Sequence, residues 1–158
     1  MRLWRIAAET RDYPADDLSG NGAARFPGRW NDLGEPLLYC ATSLSLAVLE
    51  TTAHLQGVLP LNRFVVAIEV SDAVWEARQE FAADALPAAW RAIPAGQASV
   101  RIGSGWLASR RSAILLVPSV IVPEERVALV NPLHPDSRAL RAEVVRVFEY
   151  HALLRGDA

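Results

Sequence analysis

The chain has 158 residues, 51% of them hydrophobic, which suggests one domain spanning residues 1–158 with a sizeable core and excludes a largely disordered chain. The formal net charge of −2 provides no global basic field, so we expect no direct contact with nucleic acid. A single cysteine excludes an internal disulfide, and with only three histidines beside it we expect no metal site.

The first third of the chain predicts a strand, a long loop, a second strand and a helix. Residues 3–8 form the first predicted strand. Arg2 and Arg5 interrupt any apolar run of the kind that is typical of a signal peptide. Residues 12–36 are rich in glycine and proline, which predicts an ordered loop with a short strand near residues 29–30. Residues 37–41 predict a buried strand, and residues 43–56 predict a helix that ends at Gly57.

The remainder predicts strands with little helix between them. Strands are expected at residues 63–70, 113–118, 127–130 and 143–150. Residues 72–98 look irregular, and short helical segments are predicted at residues 87–91, 105–109 and 137–141. The pattern indicates an α+β fold with few helices around a strand-rich core. Since no apolar run approaches the ~20 residues that span a bilayer, we expect no membrane association and a cytoplasmic location.

An arginine lies on a glycine-marked loop in the segment Gly28-Arg29-Trp30-Asn31. Glycine lets the backbone approach a ligand closely, and the guanidinium fork of Arg29 suits a phosphate or a carboxylate. All 16 basic residues of the chain are arginine, so a single arginine is weak evidence of function. By itself the segment favours a solvated Arg29 beside a core Trp30.

Glu50 is an unusual acid for its position. On the predicted helix its neighbours three and four residues away include Leu46, Ala47 and Ala53, so the carboxylate does not lie on a polar face. Acids in such surroundings need a partner. Two interpretations stay open: Glu50 lies at the mouth of a pocket, or it forms a structural pair with His54 or an arginine.

Three further polar side chains are candidate functional residues, but each also has a simpler structural interpretation. Tyr39 lies in an apolar strand, where a core aromatic with a hydrogen-bonded hydroxyl is the commoner arrangement. Ser112 precedes a predicted strand and suits a turn as well as a phosphate contact. His134 is expected to form structural hydrogen bonds rather than to act as a base. No Walker, dinucleotide-binding, zinc-protease or nucleophile-elbow motif is present.

Together these segments resemble the RES domain, a family of bacterial toxins named for an arginine, a glutamate and a serine. The resemblance is most specific in Gly28-Arg29-Trp30-Asn31-x-x-Gly34-x-Pro36-Leu37-Leu38-Tyr39. It continues through Ser43-x-Ser45-Leu46-Ala47-Val48-Leu49-Glu50, Ile102-Gly103-x-x-Trp106-Leu107 and Val117-Pro118-Ser119. It covers nearly the whole chain, with departures from the family pattern at Pro27 and Val127.

The resemblance implies a compact α+β domain similar to diphtheria-type ADP-ribosyltransferases, with NAD as substrate and no cofactor. Carried over by position, it makes Glu50, Arg29 and Tyr39 the expected catalytic residues. Arg29, Tyr39, Ser112 and Asn31 become the expected substrate-binding residues. The resemblance also implies a cognate antitoxin with an Xre-type helix-turn-helix.

Cleavage of the nicotinamide–ribose bond of NAD is the activity that this resemblance implies. Nicotinamide is a cationic leaving group, so the barrier lies in an oxocarbenium-like ribose that an anion such as Glu50 would stabilise. The acceptor stays open between inorganic phosphate, water and a protein side chain, and we expect NAD degradation by phosphate or water ahead of protein ADP-ribosylation. The alternative from another class is a non-catalytic binding module.

Overall fold

A seven-stranded sheet organises the chain in the computed structural model, which describes residues 1–53 and 60–150. The strands are β1 (Arg2–Ala8), β2 (Leu38–Ala41), β3 (Arg63–Glu69), β4 (Gln79–Glu80), β5 (Ile114–Pro118), β6 (Arg126–Val130) and β7 (Arg141–Phe148). They lie in the order β4-β5-β6-β2-β1-β3-β7. Neighbouring strands run antiparallel except for the parallel β4–β5 pair.

Short helices connect the strands. The α-helices are α1 (Asn21–Arg25), α2 (Leu44–Thr52), α3 (Asp72–Glu76) and α4 (Gln97–Ser109). Three 3₁₀ segments cover Ala83–Ala85, Ala88–Arg91 and Pro135–Ala139. A serine starts α2, because the Ser43 side chain accepts a hydrogen bond from the backbone N–H of Leu46. Within residues 1–53 and 60–150, none of the helices has the length and apolar character needed to cross a membrane.

Both faces of the sheet are covered, because neighbouring residues of one strand belong to different halves of the core. In β5, Ile114 packs in the cluster that contains Leu3. Its neighbour Leu115 packs in the cluster that contains Trp106 of α4 and Leu46 of α2. All five residues of β5 are buried. A strand that is buried on both faces is continuously apolar instead of alternating, which explains the sequence of β5.

The structure confirms the predicted α+β class and six of its strands, each within one or two residues of the expected bounds. The helix predicted for residues 43–56 is confirmed as α2 up to Thr52. Its predicted end at Gly57 lies outside the described residues. The stretches expected to be irregular contain the short helices α1 and α3 and the two-residue strand β4. These elements are too short to produce a clear period in the sequence.

Two predictions for the site-bearing segments are wrong. Arg29 and Trp30 lie in a turn instead of a short strand. Residues 105–109 end a helix of 13 residues instead of starting a helical turn. Gly103 and Gly105 lower the intrinsic helix propensity there, but tertiary packing outweighs that cost. At Gly103 the backbone of α4 passes so close to the Trp30 carbonyl that a Cβ would lie 1.7 Å from its oxygen.

Candidate active site

Arg29 lies on the loop between α1 and β2 and is anchored to a second loop. Its Nη1 donates hydrogen bonds to the backbone carbonyls of Trp90 (2.8 Å) and Ala92 (2.9 Å). Both N–H groups of Nη1 are thereby used, whereas those on Nε and Nη2 have no partner in the described part of the chain. The half-buried guanidinium therefore presents a pre-oriented fork that suits an anion.

Stacked tryptophans hold these two loops together. The rings of Trp30 and Trp90 are buried, with centroids 6.0 Å apart and planes inclined by 25°. Helix α4 packs against the Trp30 carbonyl through Gly103. Arg29 therefore lies next to a residue that is fixed from two sides, which limits how far its backbone can move.

The Asn31 side chain links several parts of the loop that carries Arg29 through hydrogen bonds. It is fully buried, and its Oδ1 accepts hydrogen bonds from the Gly28 N–H (2.9 Å) and the Tyr39 hydroxyl (2.8 Å). Its Nδ2 donates to the backbone carbonyls of Ala23 (2.9 Å) and Glu35 (3.0 Å). The substrate-binding role expected for Asn31 does not fit this burial, since both ends of the amide are used inside the protein.

Tyr39 lies on β2 and directs its hydroxyl at the same loop. The hydroxyl donates to Asn31 and accepts a hydrogen bond from the Trp30 N–H at 2.9 Å. Burial raises the pKa of the Tyr39 hydroxyl well above its ordinary value, although the Trp30 N–H and the charge of Arg29 oppose this. The hydroxyl therefore stays protonated at neutral pH. A Cβ at Gly28 would lie 2.6 Å from it, so glycine is what lets the loop pass over Tyr39.

Glu50 lies on α2 and accepts a short hydrogen bond from Ser119, which follows the end of β5. The Ser119 Oγ is 2.5 Å from the Glu50 Oε1. Ser119 is fully buried, and its Oγ accepts hydrogen bonds from the N–H groups of Ile121 (3.1 Å) and Val122 (3.0 Å). Because a hydroxyl has one proton and two lone pairs, the Ser119 proton is committed to Glu50. Such a length is typical of donation to a charged carboxylate.

Glu50 lies near enough to Arg29 for its charge to act on the guanidinium, although the two residues are 21 positions apart in the sequence. Burial lowers the pKa of the Arg29 guanidinium, and the negative charge of Glu50 opposes this effect. In the described part of the chain, however, no ion pair joins the two side chains. The sequence also allowed a pair between Glu50 and His54, but His54 lies outside the described residues. A cation and an anion that are near but not paired with each other both stay available to a polar ligand.

Ser112 is not part of this group. It is 2% exposed, and its Oγ accepts a hydrogen bond from the Trp106 indole N–H (3.0 Å) and donates to the Ile114 carbonyl (2.8 Å). Ser112 and Ser119 lie at opposite ends of β5, so about 20 Å of extended chain separates them. The phosphate- or ribose-binding role expected for Ser112 does not fit this position. Ser119 is the serine that the structure brings to Glu50, and sequence reasoning missed it.

A signal for Ser119 was present in the sequence, since it ends the segment Val117-Pro118-Ser119 that carries part of the family resemblance.

His134 has the structural role that was predicted for it, because its Nδ1 accepts a hydrogen bond from the Asp136 N–H at 3.2 Å and so caps a 3₁₀ segment. Among residues 1–53 and 60–150, no three His, Cys, Asp or Glu side chains are grouped so that they could hold a metal ion.

An open cavity of about 300 Å³ lies apart from these charged groups. Its lining includes Glu35, Ser104 and Arg110. The Glu35 carboxylate is held there by hydrogen bonds from the Ser104 hydroxyl (2.7 Å) and the Asp32 N–H (2.8 Å). Neither Arg29 nor Glu50 lines this cavity. The candidate active site is therefore assigned from the arrangement of charged and hydrogen-bonded groups, not from cavity volume.

The structure predicts that Ser112→Ala destabilises the fold and leaves the hydrogen bonds of Arg29 and Glu50 intact. The buried Trp106 indole N–H loses its acceptor, so the free energy of unfolding should fall by about 1–3 kcal/mol. Urea denaturation measures this loss, and Ser45→Ala, at an exposed serine of α2, should stay within about 0.5 kcal/mol of the unmodified chain. Equal stability of the two variants would contradict the structural role of Ser112.

Comparisons with known proteins show the family of the chain. The model of the RES domain family matches residues 2–152. A Sphingobium sp. (strain YBL2) protein named Prs ADP-ribosylating toxin is 51% identical over 149 residues, which cover 94% of this chain and 92% of that protein. A Toxin Res of Yersinia enterocolitica is 40% identical over 91% of this chain and 92% of its own length. A Toxin Res of Pseudomonas putida is 35% identical over 91% of this chain and 93% of its own length. The chain belongs to the RES domain family.

Proposed function

We propose that this chain is a toxin that cleaves the nicotinamide–ribose bond of NAD. The observation that carries the proposal is the Glu50 carboxylate, which Ser119 orients and whose charge acts on Arg29 although no ion pair joins the two side chains in the described residues. The relatives named Toxin Res support the toxin assignment. The relative named Prs ADP-ribosylating toxin supports NAD as the substrate, because NAD is the usual donor of an ADP-ribosyl group.

In this proposal Arg29 binds the pyrophosphate of NAD. Its Nε and Nη2 groups suit two oxygens of one phosphate, as in other bidentate arginine contacts. The bonds from Nη1 to Trp90 and Ala92 hold the guanidinium in position before the substrate arrives, which reduces the entropy lost on binding. Tyr39 contributes through its half-buried ring at the nicotinamide or ribose end, because its hydroxyl is used within the protein.

Cleavage is heterolytic in this mechanism. The bond between the ribose C1′ and the nicotinamide nitrogen breaks, and both electrons pass to the nitrogen, so nicotinamide leaves as a neutral molecule without a general acid. The ribose becomes an oxocarbenium-like cation, which the negative charge of Glu50 stabilises. Ser119 acts as a positioning residue, because its hydrogen bond holds Oε1 and reduces the reorganisation of the carboxylate during the reaction.

An acceptor then takes the ADP-ribosyl group. Inorganic phosphate as co-substrate gives phosphorylated ADP-ribose, and water gives ADP-ribose with release of a proton. We rank these two degradative outcomes ahead of protein modification because of the family resemblance. The second candidate is a protein side chain, which the name of the relative that is 51% identical favours. Because all three acceptors follow the same bond cleavage, the role of Glu50 does not depend on which one is used.

A cell that makes an NAD-cleaving enzyme needs to restrain it. We therefore propose a cognate antitoxin with an Xre-type helix-turn-helix as the partner of this chain, bound so that it covers Arg29 and Glu50. We also propose the cytoplasm as the place of action, because the substrate and the partner are available there. The relatives named Toxin Res support the toxin half of this pair.

Glu50→Gln tests whether the charge of the carboxylate is needed. Glutamine keeps the shape and can still accept a hydrogen bond from Ser119, so KM for NAD should change little. The kcat should fall by about 100-fold or more, since one preorganised electrostatic contact is typically worth about 3 kcal/mol. Nicotinamide release measures turnover, and thermal melting of the same preparation measures stability. A variant that melts earlier but turns over NAD at the original rate would assign Glu50 a purely structural role.

Arg29→Ala should act on substrate binding as well as on rate. The pyrophosphate contact exists in the ground state too, so KM for NAD should rise about tenfold or more. The matched control is Arg91→Ala, at an exposed arginine of the loop to which Arg29 is anchored. Steady-state kinetics of both variants separate a specific contact from a general loss of positive charge. An unchanged KM in Arg29→Ala, or an equal rise in both variants, would contradict pyrophosphate binding by Arg29.

The acceptor is tested by incubating the purified chain with NAD in buffers that contain phosphate or, at equal ionic strength, sulfate. We expect phosphate to accelerate the loss of NAD and to appear in the product as phosphorylated ADP-ribose, identified by its mass. Equal rates with only free ADP-ribose would instead assign a glycohydrolase. NAD loss that requires an added acceptor protein, with an ADP-ribosyl increase in the mass of that protein, would assign an ADP-ribosyltransferase.

A further inference from the structure

The open cavity of about 300 Å³ beside Glu35 is bounded by three separate parts of the chain. The loop of residues 34–36 forms one side, the end of α4 forms a second, and residues that follow β6 form the third. The lining combines two charged side chains with apolar surface from Pro36, Leu107, Ala108 and Leu133. Cavities that bind small molecules share this composition, because apolar walls bury the ligand and a few polar groups orient it.

Glu35 is held in the cavity wall by one of its two carboxylate oxygens. Its Oε2 accepts hydrogen bonds from the Ser104 hydroxyl (2.7 Å) and the Asp32 N–H (2.8 Å). Its Oε1 accepts none from residues 1–53 and 60–150, and no ion pair within that part of the chain includes Glu35. A carboxylate that is fixed in position and keeps one oxygen free suits a cationic donor such as an ammonium group.

The end of α4 adds negative potential to the same cavity. The helix has 13 residues and ends at Ser109, and Leu107 and Ala108 of its last turn belong to the lining. The carbonyl groups at the C-terminus of a helix together carry a partial charge of about −0.5. Glu35 and the end of α4 therefore both favour a cation in the cavity, although they come from distant parts of the sequence.

Arg110 supplies the positive charge of the lining. Its side chain is exposed, and among the described residues it takes part in no ion pair, either with Glu35 or with another acid. Arg110 follows the last residue of α4 in the left-handed conformation, with φ 49°, where glycine or asparagine is the usual residue. Backbone geometry therefore does not favour an arginine at this position. Its guanidinium suits a carboxylate that enters the cavity.

We propose that this cavity binds a small zwitterion with an apolar body, of the class represented by short apolar peptides. The ammonium group of the ligand donates to Oε1 of Glu35, and its carboxylate accepts from the guanidinium of Arg110. The apolar part contacts Leu107 and Leu133, of which Leu133 is 56% exposed in the unliganded chain. Each charged side chain thereby gains a partner of opposite charge that it lacks in the described residues.

Glu35 also has a structural use, which is to tie its loop to α4 through Ser104. That use occupies Oε2 alone and requires neither Arg110 nor a cavity, so it forecasts no ligand. Two unpaired charges of opposite sign on one partly apolar cavity favour the zwitterion. Neither Arg29 nor Glu50 lines the cavity, so the proposal stands or falls independently of NAD cleavage.

Calorimetric titration of the purified chain with the dipeptide alanylleucine tests the ligand class. The free dipeptide should show saturable binding at millimolar concentrations or below. Its N-acetylated form lacks the ammonium group and its C-amidated form lacks the carboxylate, so each should bind with a Kd about tenfold higher or more. No saturable binding of the free dipeptide, or equal affinity for the free and the capped forms, would overturn the proposal.

Substitution of each charged side chain tests its contact. Glu35→Gln keeps an oxygen for the bonds from Ser104 and Asp32 but loses the charge, so the Kd for the free dipeptide should rise about tenfold or more. Arg110→Gly should raise the Kd for the free dipeptide by a similar factor and leave that for the C-amidated form unchanged. Glycine suits the left-handed backbone of residue 110, so this variant keeps the fold. Unchanged affinity in either variant would contradict the assigned contact.

A variant that fills the cavity tests the position of the ligand. Ala108→Phe retains both charges and places a ring in the lining, so it should abolish binding of the free dipeptide. The matched controls are Arg111→Ala and Glu124→Gln, at exposed charged residues outside the lining, and both should keep the original Kd. Thermal melting of each preparation verifies that it is folded. Binding that persists in Ala108→Phe, or that falls equally in the controls, would place the ligand outside this cavity and refute the proposal.

Discussion

The buried amide of Asn31 is the interaction on which the candidate site depends. Its oxygen joins the Gly28 backbone to the Tyr39 hydroxyl, and its nitrogen ties the same loop to the carbonyls of Ala23 and Glu35. A loop between a short helix and a strand is thereby held by hydrogen bonds to one buried side chain. Breaking such a network leaves several buried polar groups without partners at once, which is far more costly than losing one exposed hydrogen bond. The position of Arg29 follows from this network.

The two charged groups of the site are each held by neutral partners. Backbone carbonyls hold Arg29, and the hydroxyl of Ser119 holds Glu50. An ion pair between them would satisfy both charges and leave neither available to the proposed substrate. Neutral partners orient the two side chains and leave their charges available, which is the preorganisation that electrostatic catalysis requires. The separation of Arg29 from Glu50 is therefore as important to the proposed reaction as the presence of either.

Much of the fold could be predicted from the sequence, because a strand that is buried on both faces of the sheet is a continuously apolar segment of the sequence. β5 and β6 are short, continuously apolar segments, and their bounds were expected within one residue. Helix α4 could not be predicted in full, since Gly103 and Gly105 weaken its local propensity. What stabilises α4 is the packing of its backbone on the Trp30 carbonyl, a contact between segments about 70 residues apart. Local patterns carry no information about such a contact.

The residue types of the site can be read from the sequence: an arginine on a glycine-marked loop, and an acid on an apolar helical face. Which polar residues accompany them depends on contacts that form only in the folded chain. Ser112 and Ser119 flank the same strand, and their neighbours in sequence do not show which of the two reaches Glu50. The fold buries Ser112 against Trp106 and brings Ser119 to Glu50, which is 69 positions away in the chain. A hydroxyl acquires its role from the partner that the fold places within hydrogen-bonding distance, and the spacing of residues along one strand does not specify that partner.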